Sequence, residues 1–453
     1  MKRRDFLNTL GVAASTTALS ATAAAPATAP AAASRRRPNV LVIQPDQHSA
    51  FVTGFAGHPD VKTPHLDRLA AQSTVFTHAV ANSPVCSPCR ASIQSGLYWH
   101  THGVDANGVR LPTGFPCLAE VFRNEGYHTG YIGKWHLDGG EPPEDTDGHI
   151  PAGPRRQGWN EWWGFERQHE YFEVFRYNTA GEKVRVPGYD WEPTWHADMT
   201  IDFMRRHQQE ADPWCFYVSF GPPHKPNQCP QEWLDRYDPA SFTLTPAQKK
   251  HFPDEARLRR ELQMYYAQTS AMDHEVGRVL QELEDQGIAE DTIVLYCSDH
   301  GDVLGSHGKL RGKWKPYSTA FRVPTIFRWP GQVRPQETAA LIGAPDLPAT
   351  LVDLAGLTTP ISWQGESQAP RCCGEPQAVR EALPMGMRGW DGCYDGRYIY
   401  SQGLDNVLYD HATDPHELTN LIDRSPELVA RKKAQLHAIM QQTGHPEPEQ
   451  FAV

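Results

Sequence analysis

The sequence lacks three features that would point to common classes of protein. No run after residue 33 approaches the roughly 20 apolar residues of a membrane span, so we expect no stable span. Basic residues are not in excess: 43 Lys and Arg face 54 Asp and Glu, giving a formal net charge of −11, which argues against nucleic acid as the main partner. The nine cysteines have neither zinc-finger spacing nor a readable disulfide framework.

The first 33 residues have the composition of a targeting segment. Residues 2–7, with the sequence KRRDFL, form a twin-arginine start, and a weakly apolar Ala/Thr-rich run with Ala-Pro repeats follows to about Ala33. The alternative interpretation is a disordered tail. We expect residues 1–33 to be a twin-arginine-type signal segment and the protein to be exported, either to the periplasm or out of the cell.

Short apolar runs alternate with helical patterns over residues 34–359. Each apolar run is typical of a strand buried in a parallel sheet. The alternation therefore predicts an α/β domain with a large, mostly parallel sheet flanked by helices. The predicted strands are 39–43, 129–133, 214–220, 292–297 and 323–328. Three helices are predicted: one that begins at Pro64 with Thr63 as its cap, one that contains 118–122, and one over 255–286.

The texture of the sequence changes from about Pro360. Residues 368–376 are rich in Pro, Gly and Cys, as in a linker or loop. Short strand-like segments follow at 396–400 and 406–410, and a last helix is predicted over 426–443. We expect residues 360–453 to form a smaller C-terminal subdomain made of an antiparallel sheet plus a helix.

Acidic, basic and metal-binding side chains follow four of the predicted strands. In parallel sheets ligands bind beyond the carboxyl ends of the strands, so we expect these residues to converge. Oxygen ligands with an imidazole suit a divalent cation, although an Asp-His pair after a strand can also be a capping Asp and a surface His. The residues are Asp46 and Gln47, Lys134 and His136, His224, and Asp299 and His300.

A cysteine stands at the start of another predicted helix, in the sequence CSPCRASIQSG from Cys86 to Gly96. Pro88 suits the first helical turn, so Cys86 would lie at the helix N-terminus, where free N–H groups favour an anion. Arg90, about one turn later, would lie on the same side. The alternatives are a buried structural thiol and a redox dithiol formed by Cys86 with Cys89.

The pattern C-x-P-x-R with the trailing Ser95-Gly96 resembles the sulfatase family, within the alkaline-phosphatase-like superfamily. The resemblance implies that a formylglycine-generating enzyme oxidises Cys86 to formylglycine (3-oxoalanine). Because the twin-arginine route carries folded proteins, this change would precede export. Similar stretches extend over nearly the whole chain after the signal segment: 38–46, 60–70, 86–96, 126–137, 220–226, 298–308, 322–331 and 408–421.

The resemblance also implies the cofactor and its ligands. One Ca²⁺ would be held by Asp46, Gln47, Asp299 and His300, with the formylglycine made from Cys86 as a further ligand. Many sulfatases carry Asp where this chain has Gln47. The neutral amide removes one negative charge from the set of metal ligands, which would weaken the binding of the metal or change the metal preference of the site.

A sulfate ester is an anion that repels nucleophiles, so its site must neutralise charge on the non-bridging oxygens. The metal, Arg90, Lys134 and Lys313 would do this, and the hydrated aldehyde at residue 86 would attack sulfur. By resemblance, His224 is the acid for the leaving oxygen, with Lys313 beside it, and His136 is the base that restores the aldehyde. Lys309, Arg311 and Lys315 are close in sequence to Lys313, and His307 either lines the pocket or caps a loop.

Basic and aromatic residues are mixed over 155–165. Aromatic faces suit sugar rings and arginines suit sulfate, although tryptophans are also ordinary core residues. The residues are Arg155, Arg156, Trp159, Trp162, Trp163 and Phe165. We expect a sulfuric ester hydrolase whose substrate is a sulfated carbohydrate or another sulfated small molecule. The alternatives are a phosphonate or phosphate ester hydrolase on the same fold and a catalytically silent binding protein.

Overall fold

The computed structural model describes residues 37–140, 148–186 and 191–445, so the signal segment predicted for residues 1–33 lies outside the described residues. Arg37–Val453 form one compact unit. The boundary between residues 359 and 360 and the export of the protein remain predictions. In the part of the chain that the structure describes, no helix is long and apolar enough to span a membrane.

The strands of the described residues form a large sheet, a small sheet and a two-stranded ribbon. They are β1 (Asn39–Asp46), β2 (Thr74–Val80), β3 (His128–Lys134), β4 (Glu161–Phe165), β5 (Phe175–Tyr177), β6 (Lys183–Arg185), β7 (Trp214–Pro223), β8 (Thr292–Cys297), β9 (Thr325–Arg328), β10 (Gln336–Gly343), β11 (Leu383–Met387), β12 (Trp390–Tyr394), β13 (Tyr398–Gly403) and β14 (Val407–Asp410).

Helices cover both faces of the large sheet. They are α1 (Pro64–Ala71), α2 (Cys86–Ser95), α3 (Trp99–His102), α4 (Leu118–Asn124), α5 (Glu192–His207), α6 (Gln231–Leu234), α7 (Pro246–His251), α8 (Glu255–Asp285), α9 (Ser318–Phe321), α10 (Asp346–Leu354), α11 (Ala369–Cys372) and α12 (Pro426–Gln442). Helix α1 begins at Pro64 as predicted, but Thr63 does not cap it through its side chain, because the hydroxyl donates to Asp67 (3.0 Å) and accepts from the N–H of Gly54 (2.7 Å).

The large sheet has the strand order β10-β2-β9-β8-β1-β7-β3-β4. Alternate residues of β1 face opposite layers: Val40 and Val42 pack with one buried cluster, and Leu41 and Ile43 pack with the other. Burial on both faces explains the unbroken apolar run in this strand. The prediction of a large sheet flanked by helices is confirmed.

One of the predicted strands is antiparallel to its neighbours, although a parallel strand is expected. The run at 323–328 forms β9, which pairs antiparallel with both β8 and β2. The loop after β8 stays at the edge where β8 ends, since its residues Asp299 and Lys313 meet Cys86 and its neighbours there. The chain therefore enters β9 from that edge and returns antiparallel, while β1 with β7 and β8, and β3 with β4 and β7, pair parallel.

The C-terminal antiparallel sheet is also confirmed, with the order β11-β12-β13-β14. Helix α12 packs on it, because Leu436 and Met440 share a buried cluster with Cys393, Tyr400 and Leu408. Strands β11 and β12 were not predicted, because their sequence, interrupted by Pro384 and several glycines, lacks a strand period.

Candidate active site

Four neighbouring strands of the large sheet, β8, β1, β7 and β3, deliver the predicted polar residues to one edge. Asp46 ends β1, Lys134 ends β3, and Asp299 and His300 follow β8. All four side chains are completely buried. The convergence expected from the strand ends is therefore present in the structure.

Cys86 reaches the same point from the first residue of α2. Val85 is the N-cap, Pro88 lies in the first turn, and Gly96 ends the helix with a left-handed φ of 66°. Cys86 is therefore at the positive end of a ten-residue helix, and it is only 1% exposed. In the described chain all nine cysteines are free thiols, and Cys89 packs in the core, so the two residues do not form a disulfide.

A cluster of ligand atoms surrounds the Cys86 sulfur. Single atoms of Asp46, Cys86, Asp299 and His300 all lie within 4.8 Å of one another. The Cys86 Sγ is 3.2 Å from His300 Nε2 and 3.8 Å from Asp46 Oδ1. Two carboxylates and an imidazole in one buried cluster fit a hard divalent cation.

Gln47 supports this cluster with a backbone in the left-handed region, at φ 65°, which is uncommon for a residue other than glycine. Its N–H donates to Asp299 Oδ1 at 3.0 Å, and its amide nitrogen donates to Asp302 Oδ2 at 2.5 Å. Its amide oxygen accepts from Lys313 at 3.5 Å. A carboxylate facing Asp302 at that distance would repel it, so the amide at position 47 is matched to its neighbour.

Arg90 contacts the two carboxylates rather than the space beside Cys86. Its Nε donates to Asp299 (2.8 Å) and its Nη2 to Asp46 (3.3 Å). Its Nη1 donates to the Lys134 carbonyl and to the Ser219 hydroxyl, both at 2.8 Å. Because protein acceptors use four of its five N–H groups, Arg90 fixes the two carboxylates; its contact with sulfate oxygens stays a prediction.

Two lysines face the Cys86 sulfur directly. Lys313 Nζ is 2.9 Å from Sγ, and Lys134 Nζ is 3.4 Å from Sγ while also pairing with Asp46. Burial raises the pKa of the Cys86 thiol, but Lys134, Lys313 and His300 together outweigh burial and hold that pKa well below its usual range. The groups around the Cys86 sulfur therefore stabilise a negative charge at this position.

Two further histidines complete the ring around residue 86. Burial, followed by the charge of Lys134, lowers the pKa of His136 to about 4, and this imidazole hydrogen-bonds with Cys86. His224 Nε2 is 3.0 Å from Lys313 Nζ, and His224 Nδ1 donates to the Lys225 carbonyl at 2.5 Å. Burial and then Lys313 lower the pKa of His224, so both imidazoles are neutral near pH 7.

Three residues of the site were not assigned from the sequence. His169 stacks face to face on His224, with ring centroids 4.1 Å apart and planes 12° from parallel. Asp302 accepts from Gln47 and pairs with Arg311, which also donates to Asn227 Oδ1 at 2.7 Å. Asp302 could have been found from the sequence, because it follows Asp299 by three residues in the same loop, whereas no sequence pattern identifies His169.

The other candidates of the 307–315 segment lie away from Cys86. His307 pairs with Glu417 at 3.0 Å and stacks on Tyr317, so it links loops and does not line the site. Lys315 pairs with Asp405 at 2.6 Å, and Lys309 is exposed. Lys313 is the lysine of this segment whose ammonium reaches the sulfur.

Most of the aromatic residues considered for sugar binding are core residues. Trp162 is completely buried, and Trp159 is 3% exposed with its indole N–H bonded to Gln94. Trp163 packs edge-on against Trp195. The arginines are also committed to the protein: Arg156 donates to the carbonyls of Ile150 and Thr179, and Arg155 pairs with Asp138. Trp159 and Trp162 therefore match the alternative given above, that of core residues, whereas Trp163 is half-buried and its role in sugar binding stays a prediction.

A different tryptophan is exposed next to the site. Trp314 directly follows Lys313, is 52% exposed, and has a φ of 72°. Its N–H donates to the Pro84 carbonyl, and its own carbonyl accepts from the Trp390 indole, both at 3.0 Å. These two bonds hold a bulky residue in a conformation that such residues rarely adopt.

Comparison with known proteins agrees with this geometry. The family profile described as Sulfatase matches residues 38–357. The chain is 33% identical to the ulvan-active sulfatase of Formosa agariphila, over 86% of this chain and 78% of that protein. It is 26% identical to the endo-4-O-sulfatase of Bacteroides thetaiotaomicron, over 90% and 93%.

Solved structures share the whole fold. The YidJ protein of Bacteroides fragilis superposes with a TM-score of 0.82 at 26% identity, covering 93% of this chain and 99% of that one. The match of the profile spans the strand ends and the Cys86 helix that form the cluster described above. This chain therefore belongs to the sulfatase family and is a sulfuric ester hydrolase.

Proposed function

We propose that this enzyme hydrolyses sulfate esters of carbohydrates, with residue 86 converted from cysteine to formylglycine and one Ca²⁺ bound beside it. The observation that carries the proposal is the position of Cys86 at a helix N-terminus, within 3.4 Å of the ammonium groups of both Lys134 and Lys313 and next to two buried carboxylates. An anionic ester needs this concentration of positive charge.

The cation fits the donors that the chain supplies. Asp46, Asp299, His300 and the Gln47 amide oxygen are the groups that would hold Ca²⁺, together with the modified residue 86. Arg90 orients the two carboxylates, since it donates to both. The bound ion supplies Lewis-acid stabilisation of the negative charge on the sulfate group.

Converted residue 86 supplies a hydrated aldehyde as the nucleophile. Lys134, Lys313 and the N–H groups at the start of α2 bind the sulfate oxygens as charge shifts in the reaction. Lys134 is completely buried, and Lys313 is half-buried in the loop after β8. Both ammonium groups already lie beside the position of Sγ, so they hold the anion against residue 86 without needing to move.

Two proton transfers fall to different groups. Lys313 and His224, 3.0 Å apart, share one proton, and this pair delivers it to the leaving alcohol oxygen. In the unmodified protein, burial lowers the pKa of Lys313, but the charges on Cys86 and Asp46 outweigh burial and raise that pKa. Burial and then Lys313 lower the pKa of His224, so the shared proton resides on Lys313 at rest. His136, with its pKa held near 4, is neutral and accepts the proton of the second hydroxyl of residue 86, while the C–O bond to sulfate breaks, sulfate leaves and the aldehyde re-forms. His169 positions His224 by covering one face of its ring.

The substrate class is proposed from the relatives and from one exposed side chain. The two relatives named above are an ulvan-active sulfatase and an endo-4-O-sulfatase. Trp314 offers a half-exposed indole next to Lys313, as a sugar-binding site requires. A sulfated saccharide would stack on this indole while its sulfate group lies between the lysines.

Mass spectrometry of the peptide containing residue 86 is the first test, using protein made in cells that contain a formylglycine-generating enzyme. We expect an aldehyde at residue 86 and turnover of sulfated saccharides by that material. Aryl sulfate and aryl phosphodiester are compared alongside. Faster cleavage of the phosphodiester would contradict the proposal and would indicate a phosphoester hydrolase instead. Aldehyde-bearing protein that hydrolyses no member of a broad sulfated panel would replace it by a binding role.

A further inference from the structure

A second group of metal-binding side chains lies at the opposite edge of the large sheet. His128 begins β3, the strand whose other end, Lys134, enters the active site. Six residue steps along a strand separate these ends by about 20 Å. His207 ends α5 and Glu210 follows it by three residues, so the group joins the start of a sheet strand to the end of the helix that covers it.

The three side chains are already arranged around one point. His128 Nε2 is 2.9 Å from Glu210 Oε2, and His207 Nδ1 is 2.8 Å from the same oxygen. The two imidazole rings lie side by side, with centroids 4.9 Å apart. One ligand atom from each of the three residues lies within 4.8 Å of the other two.

These distances are close to those of a zinc site. Tetrahedral Zn²⁺ with bonds of about 2.0–2.2 Å places its ligand atoms roughly 3.3–3.6 Å apart. The two nitrogens thus need to withdraw from the Glu210 oxygen by only a fraction of an ångström to admit the ion. Two imidazoles and one carboxylate also suit zinc and its neighbours in the transition series, whereas the carboxylate-rich cluster around Cys86 suits a harder cation.

A carboxylate stands behind one of the ligands. His207 Nε2, the nitrogen that does not face Glu210, is 3.9 Å from Glu161 Oε2. Glu161 is itself fixed by two hydrogen bonds from Arg206. In zinc sites a ligating histidine usually donates its other ring N–H to a carboxylate. At 3.9 Å this hydrogen bond is not formed, and Glu161 is the carboxylate that lies nearest to His207 Nε2 for it.

A cleft of about 560 Å³ borders the group, and its lining includes His128, Glu161, Arg206 and His207. The cleft gives an ion access from solvent and leaves room for water as a fourth ligand. We propose that His128, His207 and Glu210 bind one Zn²⁺, with Glu161 orienting His207, and that the ion clamps the start of β3 to the end of α5. This site is separate from the reaction and does not depend on the proposed chemistry at residue 86.

The test titrates the full-length protein with zinc chloride in the presence of excess Ca²⁺, by calorimetry and by competition with a zinc indicator. Every protein carries Cys373→Ser, because Cys373 is exposed and its thiol would bind zinc. The variants are His128→Gln, Glu210→Gln and Glu161→Gln. Asp202→Asn is the matched control: Asp202 is an exposed carboxylate on α5 that pairs with Arg206 but is not among the ligands.

We expect one Zn²⁺ per chain, at least about tenfold weaker binding in His128→Gln and Glu210→Gln, and a smaller loss in Glu161→Gln. Zinc should raise the melting temperature of the Asp202→Asn control as much as that of the parent, and should not raise that of Glu210→Gln. Crystals soaked in zinc should give an anomalous peak between His128 and Glu210 without any substitution. No zinc bound by the parent at this position, or unchanged affinity in the doubly substituted H128Q/E210Q protein, would overturn the proposal.

Discussion

The two ends of β3 carry metal-binding residue types in opposite settings. At the carboxyl end, Lys134 is completely buried, pairs with the Asp46 carboxylate and lies 3.4 Å from the Cys86 sulfur. At the amino end, the side chain of His128 is 46% exposed and meets one imidazole and one carboxylate. Buried charges interact strongly because little water screens them, so only the carboxyl end can hold an anion against a nucleophile.

The comparison shows that ligand type alone does not distinguish a reaction site from a stabilising one. Removing one charge at the carboxyl end leaves its partner buried without compensation, whereas the amino end is half in water and tolerates the loss. Substitutions at the two ends should therefore differ by orders of magnitude in their effect on turnover.

The largest effect is expected for Cys86→Ala, which removes the side chain that becomes the nucleophile. We expect kcat on an aryl sulfate to fall by about 10⁴-fold or more. Cys89→Ala is the matched control, since Cys89 lies three residues further along the same helix and packs in the core. Equal loss in both variants would attribute the effect to the helix rather than to residue 86.

Removal of the active-site cation comes next. We expect a calcium chelator to lower kcat by roughly 10²–10³-fold, because the ion stabilises charge that develops on the sulfate group. Added Ca²⁺ should restore the activity. Glu210→Gln, at the other end of the sheet, should show the same kcat and the same response to chelation as the parent. Full activity in metal-free protein would show that the reaction does not need the ion and would contradict the proposed role of Ca²⁺.

Much of this contrast could be predicted from the sequence. The apolar runs of β1, β3, β7 and β8 identify the buried strands, and parallel pairing then places Asp46, Lys134 and Asp299 at one edge. These inferences need only local periodicity and one rule about parallel sheets. Local periodicity also predicts the C-terminal sheet, although it does not predict β11 and β12, because their sequences lack a strand pattern.

The remaining features depend on contacts between distant segments. Arg90 and Asp299 are 209 residues apart, so no local pattern in the sequence shows that Arg90 pairs with this carboxylate. The same holds for His169 on His224. The burial of Trp159 and Trp162 depends on how helices pack on the sheet, and the reversed direction of β9 depends on where the preceding loop ends.

A smaller effect, with a pH signature, is expected at His136. A base must be neutral, and the pKa of His136 is held near 4 by burial and by Lys134. Activity supported by this group is therefore fully present well above pH 4 and is lost as the pH falls through that value. In His136→Ala we expect kcat to fall by about 10²-fold and this acid limb to disappear from the pH profile. An unchanged limb in the variant would assign it to another group.

The smallest effect is expected at Trp314, an exposed residue next to Lys313 in the loop after β8. Trp314→Ala removes an indole that would stack on a sugar ring but that is not needed to bind sulfate. We expect the KM for a sulfated oligosaccharide to rise by about tenfold with kcat nearly unchanged. The KM for a small alkyl sulfate should not change, and Trp314→Phe should recover part of the loss. A rise in KM that is equal for both substrates would mean that the substitution disturbs Lys313 next to it, because only the sulfate group is common to the two.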